Sequence, residues 1–149
     1  MPAFITFGRI LFAVIFIASG ASKFLDLGAT TEMIAGKVVF PDVVAPYVTQ
    51  LQALTGMPMN QMLAIAAAVV ELLGGILIAL NIGVRFFAMV LVLYVMAATF
   101  YFHDFWNQTG VEFKNNMIHA LKNLSIIGGL FIIAGIGRGP RFEPAYNEV

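Results

Sequence analysis

The sequence predicts an all-α, multi-pass transmembrane four-helix bundle, with short interfacial helices in its first long loop. Three observations carry that expectation. Hydrophobic residues make up 60% of the 149 positions and charged residues only 11%, against roughly 45–50% and about 25% in an ordinary soluble domain. A soluble fold of this length would leave about a third of its unfolded-chain surface in water, so a chain with mean hydropathy +0.92 needs lipid to cover it. Finally, four stretches reach the length of about 20 mostly apolar residues that a membrane helix requires.

The spans are expected at 4–24, 59–82, 84–102 and 117–137 within one domain, residues 1–149. In hydrocarbon a lone apolar stretch satisfies its backbone only as a helix. The first span has small residues near Ala18–Ser22, as a cleaved leader would. It has no basic residue ahead of the apolar run, Arg9 lying inside it, so a retained helix is the expectation. Between the first and second spans, two weakly amphipathic pieces near Thr30–Gly36 and Val43–Leu54 are separated by Pro41 and Pro46 and read as helices on the membrane surface. Pro58 suits the start of the second span. Asn81-Ile82-Gly83 is a tight turn, with Gly83 a helix stop. The segment HDFWNQTGVEFKNN reads as a loop joining the third and fourth spans, and GRGPRFEPAYNEV as an extended polar tail. Four spans put both termini on one side, with Arg9, Arg85, Arg138 and Arg141. Lys23, Lys37, Lys114 and Lys122 fall on the other. Lys23 and Lys122 sit within helix ends and count less as loop charge, which makes the termini side cytoplasmic.

Composition also excludes functions. The net charge is +0 and no basic run is present, which argues against a nucleic-acid partner. The absence of cysteine removes thiol redox chemistry, disulfides and cysteine-held zinc or iron–sulfur sites.

Ionisable groups at the centre of a membrane helix cost about 2.5–3.5 kcal/mol each on insertion scales, and they usually face the bundle interior. Glu71 lies about twelve residues into the second span, near the midplane at about 1.5 Å per residue. An ionised carboxylate there needs a partner or takes up a proton. Lys23 closes the first span. In the fourth, His119, Lys122 and Asn123 are spaced as i, i+3 and i+4 and read as one inward-facing polar stripe, with Asn115 and Ser125 nearby. His103 and Asp104 end the third span on the same outer side. Lys23, Glu71, His103 and Lys122 are therefore expected to converge in the outer half of the bundle. The plain alternative is structural: lysines that snorkel, and a buried pair that fixes helix register.

Other residues are less specific. His103 and His119 sit at matching ends of neighbouring helices, but two interfacial histidines specify little, so a haem is disfavoured. Met57, Met59 and Met62 form a thioether cluster with no histidine near in sequence, which suits a flexible helix start better than copper. Tyr94, Tyr101, Phe102, Phe105 and Trp106 form an aromatic belt, or a wall for a flat apolar ring. The pairs Gly74-Gly75 and Gly128-Gly129 permit close helix approach, within the bundle or toward a partner.

The segments GRILFAVIFIASGASKF, VVELLGGILIALNIGVRFFA, ATFYFHDFW and HALKNLSIIGGLFIIA, in this order, resemble the DoxX family of bacterial membrane proteins. The resemblance runs from Phe7 to Ala134. It implies a four-helix protein of the bacterial cytoplasmic (inner) membrane, similar to DoxX/DoxD-like proteins. DoxD is the membrane subunit of a thiosulfate:quinone oxidoreductase, and some members are associated with oxidoreductases of sulfur or oxidative stress. The family's pattern falls here on Gly20, Lys23, Glu71, Gly74, Gly75, Arg85, His103, Asp104, Lys122 and Asn123, and brings no catalytic assignment with it.

The expected function is accordingly a quinone-interacting subunit of a membrane-associated oxidoreductase system, with Lys23, Glu71, His103, Asp104, His119, Lys122 and Asn123 as candidate ligand- or proton-handling residues. A lysine would donate a hydrogen bond to the quinone and Glu71 or His103 would pass protons. The expected surroundings are the lipid bilayer, a soluble or membrane oxidoreductase as electron source, and further copies of the chain. Two readings stand beside it: a non-enzymatic anchor that recruits a soluble oxidoreductase, and a small transporter acting as an oligomer.

Overall fold

A computed structural model describes residues 2–137. The expected tail, with Arg138 and Arg141, lies beyond Gly137 and outside the described residues. The described chain is helical, with α1 (Pro2–Leu25), α2 (Leu27–Ala35), α3 (Ala45–Thr55), α4 (Met59–Ala79), α5 (Val84–Phe102) and α6 (Gly110–Ile136). Single 3₁₀ turns precede α3, at Asp42–Val44, and α6, at Phe105–Asn107. Four of these helices, α1, α4, α5 and α6, are long and apolar enough to cross a membrane.

The helices alternate in direction, so α1 begins and α6 ends at the same face of the bundle; the opposite face is called the outer end below. α1 packs chiefly on α4 and α5 on α6, and the α4–α5 hairpin joins the two pairs. That hairpin turns within four residues, Leu80 to Gly83, with Asn81 (φ 63°) and Gly83 (φ 56°) both left-handed. Ala13, Phe16, Ile78, Ala88, Leu91, Val92, Val95 and Leu130 form the core, toward the inner half. Large apolar side chains such as Phe7, Leu93 and Ile132 are exposed all round it, the surface expected where lipid rather than water is the solvent.

Small residues set how closely the helices approach. A Cβ on Gly20 would lie 2.5 Å from the Leu72 amide nitrogen and 2.9 Å from the Ala68 carbonyl oxygen, so α1 and α4 touch backbone to backbone. Gly74 and Gly75 serve different interfaces: Gly74 receives Leu91 of α5 and Gly75 receives Ile17 and Phe16 of α1. Gly129 takes the Phe12 ring, which closes α6 onto α1, while Gly128 faces open space. Three of the four paired glycines thus pack this bundle itself.

One expectation needs correction. α6 starts at Gly110, seven residues before the expected 117, so the supposed loop is largely helix. Its first two turns carry Glu112, Lys114, Asn115 and Asn116, and a hydropathy threshold stops where the helix leaves the hydrocarbon although the backbone does not. α2 and α3 are the short helices expected in the first long loop. Capped by the Asp26 carboxylate, which accepts from the Ala29 amide at 3.0 Å, α2 packs on α4 and buries Thr30 and Ile34.

Replacing Gly20 with alanine should force α1 off α4, since the neighbours are backbone atoms that cannot turn aside. We expect a loss of about 1–3 kcal/mol, the usual cost of overpacking, seen as a lower thermal midpoint in detergent. Gly8→Ala, whose Cβ meets nothing within 4 Å, should hold or slightly raise the midpoint, since alanine favours a helix over glycine.

Candidate functional site

Just outward of the core, α1 and α4 share a polar cluster. Glu71 is buried, with 6% of its surface exposed, despite its formal charge. Its Oε2 accepts from Lys23 Nζ at 2.6 Å, and Ser19 Oγ lies 3.1 Å from both carboxylate oxygens. Lys23 Nζ also donates to Ser19 Oγ at 2.7 Å. Ser19 and Lys23 stand four residues apart on α1, so one helical face presents both to α4. Gly20 between them lets that face come close enough. From α5 the half-buried Tyr94 lies near the same carboxylate. In an apolar interior with few competing dipoles, such charge-assisted bonds are stronger than in water.

A second polar level lies about 7.5 Å further out, five residues along α5 at about 1.5 Å each. There Asn123 of α6 donates to Thr99 Oγ1 at 2.9 Å, and Thr99 donates to the Val95 carbonyl. A third level closes the outer end. His103 Nδ1 is 3.2 Å from Asn116 Oδ1. Asn116 Nδ2 donates to Gln108 Oε1 at 2.7 Å, and Gln108 Nε2 to Asp104 Oδ1 at 2.9 Å. Lys37, following α2, pairs with Asp104 at 3.2 Å. His119 stacks on His103, ring centroids 4.9 Å apart and 12° from parallel.

The sequence-derived candidates therefore divide. Lys23 meets Glu71 directly. His103, Asp104 and His119 gather at the outer end, two levels away, with Asn123 between. Lys122 is exposed and joins none of these groups. Its expected inward position fails for a geometric reason. At 100° per residue the buried face of α6 runs through Asn116, Ala120, Asn123, Ile127 and Leu130, and Lys122 is turned about 120° from Asn116. Spacing among the polar residues suggested a stripe, but the apolar residues that follow it, Ile127 and Leu130, decide which polar ones face in. The haem geometry also lacks support: face-to-face imidazoles at 4.9 Å leave no room for a porphyrin between them.

Two participants escaped the sequence reading. Ser19 had a signal, its i, i+4 spacing from Lys23. Tyr94 was grouped with the aromatic belt, but it lies two turns deeper than Tyr101, which packs instead with Phe100 near Trp106.

The fold and this cluster define a four-span helical membrane protein with an ion pair inside its bundle. The DoxX family profile matches residues 4–104, and the chain belongs to the DoxX family. It is 29% identical over 138 residues to the inner membrane protein YphA of Escherichia coli (strain K12), covering 93% of this chain and 86% of that protein. No solved structure matches it significantly.

Removing either partner of the central pair should leave a buried, unmatched charge. Glu71→Ala and Lys23→Ala should each destabilise the purified protein by about 3 kcal/mol, the low end for a buried pair because Lys23 is part-exposed. The double variant should cost clearly less than the sum. Thermal unfolding in detergent of all three proteins checks this.

Proposed function

We propose that this protein is a quinone-interacting subunit of a membrane-associated oxidoreductase system, with Lys23 and Glu71 as its proton-handling couple. The single observation behind this reading is the buried Glu71 carboxylate held by Lys23 and Ser19 near the middle of the spans. Ionisable groups at that depth are costly and are functional candidates by default. The family resemblance supplies the redox context. We place the protein in the inner membrane, as its relative's name states for that protein, with both termini cytoplasmic.

A quinone takes up two electrons and two protons to become a quinol. The chain has no cysteine, and we assign the electrons to a partner oxidoreductase. Lys23 is the hydrogen-bond donor to a ring oxygen as negative charge develops there. Glu71 exchanges a proton with it, and the Tyr94 phenol steadies the carboxylate in either state. The Thr99–Asn123 level, and then His103, His119 and Asp104, supply groups that relay protons from the outer end. Lys122 has no part in this arrangement.

A second reading is favoured by the same contact. Ser19, Gly20 and Lys23 fix the α1–α4 register, as a scaffold that recruits a soluble oxidoreductase would need. Extraction in mild detergent, followed by mass spectrometry of retained lipophilic molecules and proteins, separates the two. We expect quinone to be retained by the native protein and lost from Glu71→Gln and Lys23→Met. Quinone reduction by the corresponding membranes should fall about a hundredfold, the low end for a lost acid–base group. A retained protein partner, with quinone content and reduction unchanged in both variants, would overturn the quinone reading in favour of the scaffold.

A further inference from the structure

We propose that the groove between α1 and α6, at the face where α1 begins, is a binding site for an anionic phospholipid, with Arg9 as the residue that holds its phosphate. This inference is independent of the quinone reading, since it concerns the opposite half of the molecule.

The groove is a cavity of about 220 Å³ with an almost wholly apolar lining, walled by Phe4, Gly8, Phe12, Gly129 and Ile133, with Arg9 among them. At its outer end Phe12 seats on Gly129. Gly8 contributes no side chain to fill the gap, and its missing Cβ would meet nothing within 4 Å. The opening lies between two spans whose flanking residues, Phe4 and Ile132, are exposed, so the groove opens sideways toward lipid.

Arg9 supplies the charge. It sits seven residues into α1, about 10 Å from the helix start, inside the apolar run, where a guanidinium needs an anion or must reach out toward the headgroups. Its Nε is buried and has no hydrogen-bond partner among the described residues. Arg9 also makes no ion pair among the described residues, where the two pairs are Lys23–Glu71 and Lys37–Asp104. An arginine free to snorkel would extend its head into water; this one keeps part of its guanidinium within the wall of the groove. Arg85 adds a second guanidinium beside Gly137, which also lines the groove. The described carboxylates (Asp26, Glu32, Asp42, Glu71, Asp104 and Glu112) all lie at the middle or outer end of the bundle. The anion for Arg9 must therefore come from beyond the described residues. An apolar slot facing lipid, with a fork of guanidinium donors in its wall, matches a phosphodiester with acyl chains attached.

The test is native mass spectrometry of the full chain in mild detergent, titrated with phosphatidylglycerol and with phosphatidylcholine of the same acyl chains. The native protein should retain phosphatidylglycerol about fivefold better, the preference worth about one basic contact near the membrane surface. Arg9→Gln should abolish that preference. Gly8→Leu keeps the arginine and starts its side chain in open space, its Cβ meeting nothing within 4 Å, yet fills the groove; it should lose phosphatidylglycerol as well, and it decides the matter should Arg9→Gln not fold. Equal retention of the two lipids by the native protein would overturn the proposal. So would an undiminished preference in Gly8→Leu, or a gain of phosphatidylglycerol in Glu143→Gln/Glu148→Gln, which would make the chain's own acidic tail the occupant. Displacement of phosphatidylglycerol by a neutral quinone would overturn it too.

Discussion

The bond between Lys23 and Glu71 is the constraint to which the rest of the bundle conforms. A carboxylate at mid-membrane depth has no water to solvate it, so it must be neutral or closely matched. Matching it at 2.6 Å requires α1 and α4 to approach within contact of their backbones. That approach in turn requires Gly20 on one helix and Gly75 on the other, because any side chain at either would strike the neighbour. The electrostatics of one pair thus explains where small residues occur in two of the four spans.

The same pair separates the molecule into two unlike halves. Inward of it the bundle is a packed apolar core centred on Ile78, Leu91 and Leu130. Outward of it, polar groups recur about every turn or two of α5 and α6, ending in the linked side chains of Lys37, Asp104, Gln108, Asn116 and His103. The inner half fixes the helices, while the outer half gathers the polar side chains. The groove at Arg9 lies at the edge of the inner half, between α1 and α6.

Span positions were legible because hydrocarbon imposes a single strong rule, a long apolar run, and α4 and α5 obey it within a few residues. α6 obeys it only after leaving the interface, which is why its first two turns read as loop. The convergence of Lys23 and Glu71 was legible from cost alone, as each needs the other. Lys122 was misplaced because polar spacing fixes which residues are neighbours on a helix but not which direction that side faces. Packing against α5 settles the direction, and it selects Asn116 and Asn123. Tyr94 was hidden by its company, since an aromatic residue near a span end is indistinguishable by composition from one that reaches a buried acid.

The four-residue turn between α4 and α5 has a consequence for how the molecule is made. Two spans so tightly joined leave little room to be laid down separately, so they partition into the bilayer as one hairpin, and Glu71 goes in with them. By then α1 has already been synthesised, and Lys23 with it. Chain order thus delivers the cation before the anion, and the acid is spared a solitary passage through oil.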